Sequence, residues 1–280
     1  MPTLRGYSQL FFASRRVRIM SQSQPLPAAL NEARDLLMHA ADDALPLGGD
    51  ERARVARLEE LLGTALCQRL GIFLIPEGFR LSVVIPCYNE GRTIDEVLRR
   101  VMRADVPLEI LVVNDGSSDG TSERLAEWEA KAPSLPVELR IISHAVNQGK
   151  GAALKTGFLA ATGDVVVVQD ADLEYDPADY RRLIQPIVGG VADVVYGSRF
   201  QGEGGRSLRF WHSLANRVLT LVSNVFTGLR LSDMETCYKV FRREIITQIA
   251  PTITERRFGV EPELTAKVAR LPGVRVFELP

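Results

Sequence analysis

The chain is short of the groups that hold zinc or build a disulfide framework. Its three cysteines, Cys67, Cys87 and Cys237, lie far apart, and none stands in C-x-x-C spacing. That suits a reducing compartment and excludes a zinc ribbon. The three histidines, His39, His144 and His212, show no paired metal spacing either. Neither sign of charge is in surplus: 34 Lys and Arg stand against 35 Asp and Glu, a formal net charge of −1. A nucleic-acid binder normally carries a strong basic excess, so no nucleic-acid partner is expected. No stretch reaches the apolar length needed to cross a bilayer. Two nucleotide fingerprints are missing as well. GKGAA at 149–153 lacks the preceding spaced glycine and the following Ser or Thr of a P-loop, and no G-x-G-x-x-G follows the first strand. A P-loop kinase and a Rossmann dehydrogenase are set aside.

What is present is 280 residues of 46% apolar content, room for one large domain or a domain with an appendage. The division falls near residue 80. The first residues, MPTLRGYSQLFFASRRVRIM, are basic and acid-free, but their apolar part is too short and broken for a secretory signal. Met20 is an alternative start, which leaves residues 1–19 as upstream sequence, a tail or a transit peptide. Residues 28–45 and 50–70 read as two helices joined by the breaker PLGGD, with Val55, Leu58, Leu61, Leu62, Ala65 and Leu66 at helical spacing. Residues 1–78 thus form a tail and a helical hairpin without chemical signature. The hairpin is expected to pack on the main domain, on a second copy or on a partner subunit. IPEGF at 75–79 is the linker.

From 79 to 280 strands and helices alternate. LSVVIP leads to a helix whose Ile94, Val97, Leu98 and Val101 share a face and whose Thr93 and Glu96 have capping-box spacing. EILVVND, a helix over 121–131, LRIISH, a helix from about Gly149, DVVVVQD, a helix over 178–188 and ADVVYG follow. Units of this kind predict an α/β fold with a mostly parallel sheet flanked by helices. Its chemistry gathers at the strand ends. The valine run at 165–168 suits a strand buried on both faces, and ligands in such sheets sit beyond the carboxyl ends of the strands. If extended geometry persists, Asp170 and Asp172 point the same way. Paired carboxylates there suit a hard divalent cation, Mg²⁺ or Mn²⁺, bridging to phosphate. PCYNE at 86–90, NDGSSDGT at 114–121 and NQGKGAALKTG at 147–157 lie on the same edge. Each, taken alone, also reads as ordinary turn chemistry.

Together SVVIPCYNE, VNDGSSDGT, NQGKGAALKTGF, GDVVVVQDADLEYDP, VVYGSRF and DMETCYKVFRREI resemble the family 2 glycosyltransferases of GT-A fold, most nearly the dolichol- or polyprenyl-phosphate mannose and glucose synthases. The resemblance implies transfer of a sugar from a UDP- or GDP-linked donor to a polyprenyl phosphate, with inversion. It implies donor-side roles for Pro86, Tyr88, Glu90, Asp115, Lys150 and Asp170, and a metal held by Asp170, Asp172 and Glu174. Glu174 stands where relatives often carry Gln. It implies acceptor-phosphate binding by Arg199, to which Arg206, Arg209 and Lys239 add positive charge. The resemblance also implies a catalytic set of Asp172, Arg199 and Asp233, with Asp233 the base should the acceptor be a hydroxyl. A saccharide acceptor in cell-envelope synthesis and a non-catalytic sugar-nucleotide-binding subunit are the other readings.

Residues 208–229, LRFWHSLANRVLTLVSNVFTGL, put Phe210, Trp211, Leu214, Val218, Leu221, Val222 and Val225 near one face. That pattern fits a helix lying in a membrane interface and equally a core helix. A lipid acceptor favours the former and a peripheral place at the cytoplasmic face of a membrane. VFELP ends the chain on a strand where relatives commonly continue, so a truncated C-terminus is expected.

Overall fold

Uninterrupted runs of β-branched residues build the centre of this protein. The structure, a computed structural model, describes residues 50–199 and 210–279. The helix expected at 28–45 lies outside them. In chain order come α1 (Asp50–Leu62), α2 (Thr64–Arg69), β1 (Leu81–Cys87), α3 (Ile94–Met102), β2 (Leu108–Asn114), α4 (Thr121–Lys131), β3 (Glu138–Ser143), α5 (Lys150–Ala160) and β4 (Val165–Val168). Then follow α6 (Tyr180–Val188), β5 (Val194–Gly197), α7 (Phe210–Thr227), β6 (Lys239–Arg242), α8 (Arg243–Ile249), α9 (Val260–Arg270) and β7 (Val276–Leu279). The strands form one seven-stranded sheet in the order β3-β2-β1-β4-β6-β5-β7. Only β6 runs antiparallel to its neighbours among the described strands. The expected mostly parallel α/β architecture is present.

The valine run of β4 is buried on both faces, as its lack of alternation requires. On α3, Ile94, Val97, Leu98 and Val101 are buried, as their spacing predicts. Pro86 sits in a central strand without cost. Pairing between β1 and β4 ends at Val84–Val168, so the missing N–H of Pro86 falls beyond the ladder.

Two local expectations are corrected. Residues 50–70 are not one helix, because Gly63 takes φ 81° and breaks it. Val55 and Leu58 are buried, but Leu66 beyond the break is exposed. The capping box at Thr93 and Glu96 does not form either. The Thr93 hydroxyl donates to the Glu90 carboxylate at 2.7 Å, and Glu96 pairs instead with Arg100 at 2.9 Å. The stretch from Gly71 to Phe79, which includes the linker, is also more than a spacer. Arg181 donates to the carbonyls of Gly71 and Phe73, its guanidinium lies over the Phe73 ring, and Phe79 is buried in the core.

Helix α5 lies directly on the sheet because Gly157 faces β1. A Cβ there would overlap Val84 Cγ1. Gly157→Ala should therefore destabilise the fold by about 1–3 kcal/mol through overpacking, despite its better helix propensity. The measurement is the denaturant midpoint at constant slope. An unchanged or raised midpoint would show that the helix has room to spare.

Candidate active site

The carboxyl ends of β1, β2 and β4 open onto one cavity of ≈ 570 Å³. Pro86, Tyr88, Glu90, Asp115, Lys150, Asp170 and Asp172 all line it. The residues expected on the donor side are thus gathered around a single space. Asn147, Arg257 and Phe258 complete its wall.

The loops that form this wall hold one another by hydrogen bonds from backbone N–H groups to side-chain oxygens. The Asn89 N–H donates to Ser117 Oγ at 3.0 Å, and Ser118 N–H donates to Asn89 Oδ1 at 2.8 Å. Asn89 and Leu173 are the non-glycine residues with positive φ among the described residues, at 58° and 65°. Both lie in loops that bound the cavity, where such strained backbone tends to concentrate. Asp115 borders the cavity, yet both its oxygens are engaged. They accept from Gln148 N–H at 2.9 Å, Gly149 N–H at 2.7 Å and His144 Nδ1 at 2.6 Å. In this structure Asp115 fixes the 144–149 loop.

Lys150 stands at the start of α5 with Nζ 3.0 Å from Asp170 Oδ1 and 3.0 Å from Glu261 Oε1. Burial disfavours its charge, but the carboxylates of Asp170, foremost, and Glu261 outweigh burial and raise its pKa. Asp172 is exposed, and its Oδ1 accepts the N–H of Glu174 at 3.0 Å. The three-carboxylate ligand set expected from Asp170, Asp172 and Glu174 is not assembled. Among the described residues no three His, Cys, Asp or Glu side chains are grouped to hold a metal. Glu174 is exposed and lies off the cavity wall. Asp170 and Asp172 alone still offer hard oxygen donors at the cavity, which fits a cation that shares its remaining positions with phosphate oxygens and water. Cys87 also lines the cavity, but burial, with Glu90 and Asp119, pushes its thiol up to about 12. It is no nucleophile.

Arg199 follows β5 and does not border this cavity. Its Nε and Nη2 donate to Asp233 at 2.8 and 3.0 Å. Asp233 is fully buried and also accepts from Asn216 Nδ2 at 2.8 Å. Burial would raise its pKa, but these hydrogen bonds, led by Arg199, hold it below the usual range. Asp233 is therefore not the base expected for a hydroxyl acceptor, since both oxygens are committed. The carboxyl of this segment that is raised is Glu235, by burial and by Glu261. Lys239 is also corrected. It is 2% exposed, donates to the Thr236 carbonyl and lies 5.4 Å from the Tyr196 ring centroid, out of reach of an acceptor in solvent. Arg206 and Arg209 lie outside the described residues.

Helix α7 is amphipathic in the reverse sense of a core helix. Its inward residues are the polar Asn216 and Thr220, which hold Asp233 Oδ1 and the Met234 N–H. Its apolar stripe is exposed: Val218, Leu221 and Val222 by about half or more, Val225 by 74% and Phe226 by 85%. The core-helix reading fails for these residues. Among the described residues, no helix is long and apolar enough to cross a membrane.

Sequence reasoning missed Arg257, Phe258 and Glu261. Gly149 and Gly151 were the available signal, because a Cβ at either would overlap the carbonyl of Arg256 or Glu255. Small residues announce a close neighbour without naming it.

The model of the family described as Glycosyl transferase family 2 matches residues 82–250. A dolichyl-phosphate beta-glucosyltransferase of Trichomonas vaginalis is 30% identical over 73% of this chain and 66% of its own length. An undecaprenyl-phosphate mannosyltransferase of Micrococcus luteus is 30% identical over 72% of this chain and 82% of its own length. The chain spans 50% or less of several other curated relatives. A crystal structure of Mycobacterium tuberculosis glucosyl-3-phosphoglycerate synthase in complex with Mg²⁺ and UDP superposes with TM-score 0.54 at 26% identity. It covers 72% of this chain and 69% of that one. The seven-stranded sheet is thus of GT-A type, and on the family match over residues 82–250 the chain belongs to glycosyl transferase family 2.

Proposed function

We propose that the chain transfers a sugar from a nucleotide-diphosphate sugar to a polyprenyl phosphate, with inversion and with a divalent cation. The observation that carries this reading is the meeting of Asp170, Asp172 and Lys150 with Tyr88 and Glu90 around one cavity at the strand ends. The names of the relatives from Trichomonas vaginalis and Micrococcus luteus support a polyprenyl-type acceptor. The related structure with Mg²⁺ and UDP supports the donor and the ion.

In this reading Tyr88 and Glu90 hold the nucleoside end and Lys150 faces the diphosphate. Asp170 and Asp172 would hold Mg²⁺ or Mn²⁺, which supplies Lewis-acid stabilisation of the leaving diphosphate. The acceptor phosphate is already anionic, so the chain needs no general base for it. It needs a fixed cation to orient the attacking oxygen. Arg199 suits that role, because Asp233 holds two of its nitrogens and leaves Nη1 for a ligand among the described residues. Helix α7, which carries the exposed apolar stripe on its other face, is joined to the same ion pair through Asn216. We assign that face to the surface of the membrane that carries the lipid acceptor.

Three outcomes test this reading. Calorimetry of UDP and GDP binding should show affinity falling about tenfold or more on chelation, and Asp172→Ala should remove that difference. Equal affinities with and without the ion in the wild type would end the metal role. Arg199→Ala, checked for folding, should lower transfer to polyprenyl phosphate about 100-fold while nucleotide affinity stays level. A parallel loss of donor affinity would place Arg199 on the diphosphate instead. Replacing Val225 and Phe226 together by Ser should weaken sedimentation with anionic vesicles about tenfold or more without altering UDP or GDP binding. Unchanged vesicle binding would remove α7 from the membrane contact.

A further inference from the structure

Lys150 has two counter-ions of different kinds. Asp170 belongs to the cavity and approaches Nζ with both oxygens, at 3.0 and 3.1 Å. Glu261 comes from the first turn of α9, is buried and approaches at 3.0 Å through Oε1. Its Oε2 is buried without a hydrogen-bond partner. A buried carboxylate with one oxygen unpartnered is costly, and its retention calls for a reason.

The place of Glu261 does not depend on Asp170. The segment before α9 is fastened to α5 at several points. Ala152 N–H donates to the Arg256 carbonyl at 3.2 Å, and Lys155 Nζ donates to the carbonyls of Pro251 and Ile253 at 3.1 and 2.9 Å. The N–H groups of Thr254 and Glu255 both donate to the Glu263 carboxylate at 2.9 Å. Gly149 and Gly151 allow the carbonyls of Glu255 and Arg256 to lie directly on the start of α5. Glu261 and Lys150 are thus held by one framework, whereas Asp170 stands on the loop that leaves β4.

We propose that Glu261 is a positioning residue that frees Asp170 for the cation. This rests on the metal-dependent reading of the site given above. A carboxylate held at both oxygens by an ammonium is poorly placed to take a divalent ion, and the ion is repelled by the ammonium. Glu261 gives Lys150 a second, fixed anion. Asp170 can then turn from Lys150 to the ion while Lys150 keeps its charge and its place facing the diphosphate. The second oxygen of Glu261 is the acceptor left for the ammonium when Asp170 departs.

The test is Mn²⁺ binding in the presence of UDP or GDP, followed by the paramagnetic resonance of free Mn²⁺, with nucleotide binding in chelator measured beside it. Glu261→Gln keeps the shape but leaves Lys150 with Asp170 as its one close anion. It should raise the apparent Kd for Mn²⁺ about tenfold or more, with nucleotide affinity in chelator unchanged. Glu261→Asp should restore part of the loss. Combining Glu261→Gln with Lys150→Met should give the Mn²⁺ affinity of Lys150→Met alone, because Glu261 acts through the lysine. Wild-type Mn²⁺ affinity in Glu261→Gln, or additive losses in the double variant, would overturn the proposal and leave the metal-dependent reading standing. Absence of Mn²⁺ binding to the wild type with either nucleotide would overturn both.

Discussion

Lys150 carries its charge 3.0 Å from Asp170 and 3.0 Å from Glu261, and three elements are located by that contact. Helix α5 brings the ammonium, the end of β4 brings one carboxylate and α9 brings the other. A largely enclosed ammonium, with 19% of its side chain exposed, keeps its charge most readily beside anions. The site is therefore assembled by electrostatics upon a frame of apolar packing. The valines of β4 and the close fit of Gly157 against Val84 set the frame. Loop contacts such as Asn89 with Ser117 and Ser118 then fix the rim.

A second ion pair, with Asp233 fully buried, organises the other half of the edge. Arg199 and Asp233 are 34 positions apart, and their bidentate contact joins the end of β5 to the segment that precedes β6. Asn216 adds α7 to the same group. The Glu278 carboxylate on β7 accepts the N–H groups of Ser232 and Asp233 and steadies the turn from below. The polar face of α7 is directed inward to meet this group. The apolar face is outward as a result, so one hydrogen-bond network accounts for both sides of the helix.

The parts legible in the sequence were those set by local pattern. Runs such as VVVV and LEILVVN suit strands buried on both faces, and their ends mark the cavity edge. Asp170, Asp172, Tyr88 and Glu90 were legible because each lies within a few residues of a strand end, and Lys150 because it opens a helix after a glycine-rich loop. Apart from the capping box, what failed depended on partners distant in the chain. Asp233 has the chemistry of a base until Arg199 and Asn216 occupy its oxygens. Lys239 has the chemistry of a phosphate ligand until β6 carries it into the core beside Tyr196. Thr93 and Glu96 had the right spacing, but Glu90 and Arg100 competed for them. Glu261 carried no motif, and its meaning came only from the helix packed against it.

The reversed direction of β6 has one further consequence. Because β6 runs against β4 and β5, the chain leaves the sheet at Gly197 and re-enters it at Lys239 on the same edge. The Gly197 N–H donates to the Tyr238 carbonyl at 2.8 Å and closes the gate between departure and return. Everything from Ser198 to Tyr238 is thereby a detour with its two ends side by side. Arg199 and Asp233, which lie towards the two ends of this detour, are therefore brought together by the sheet itself, and the buried Leu231, Met234 and Cys237 anchor the returning limb in the core.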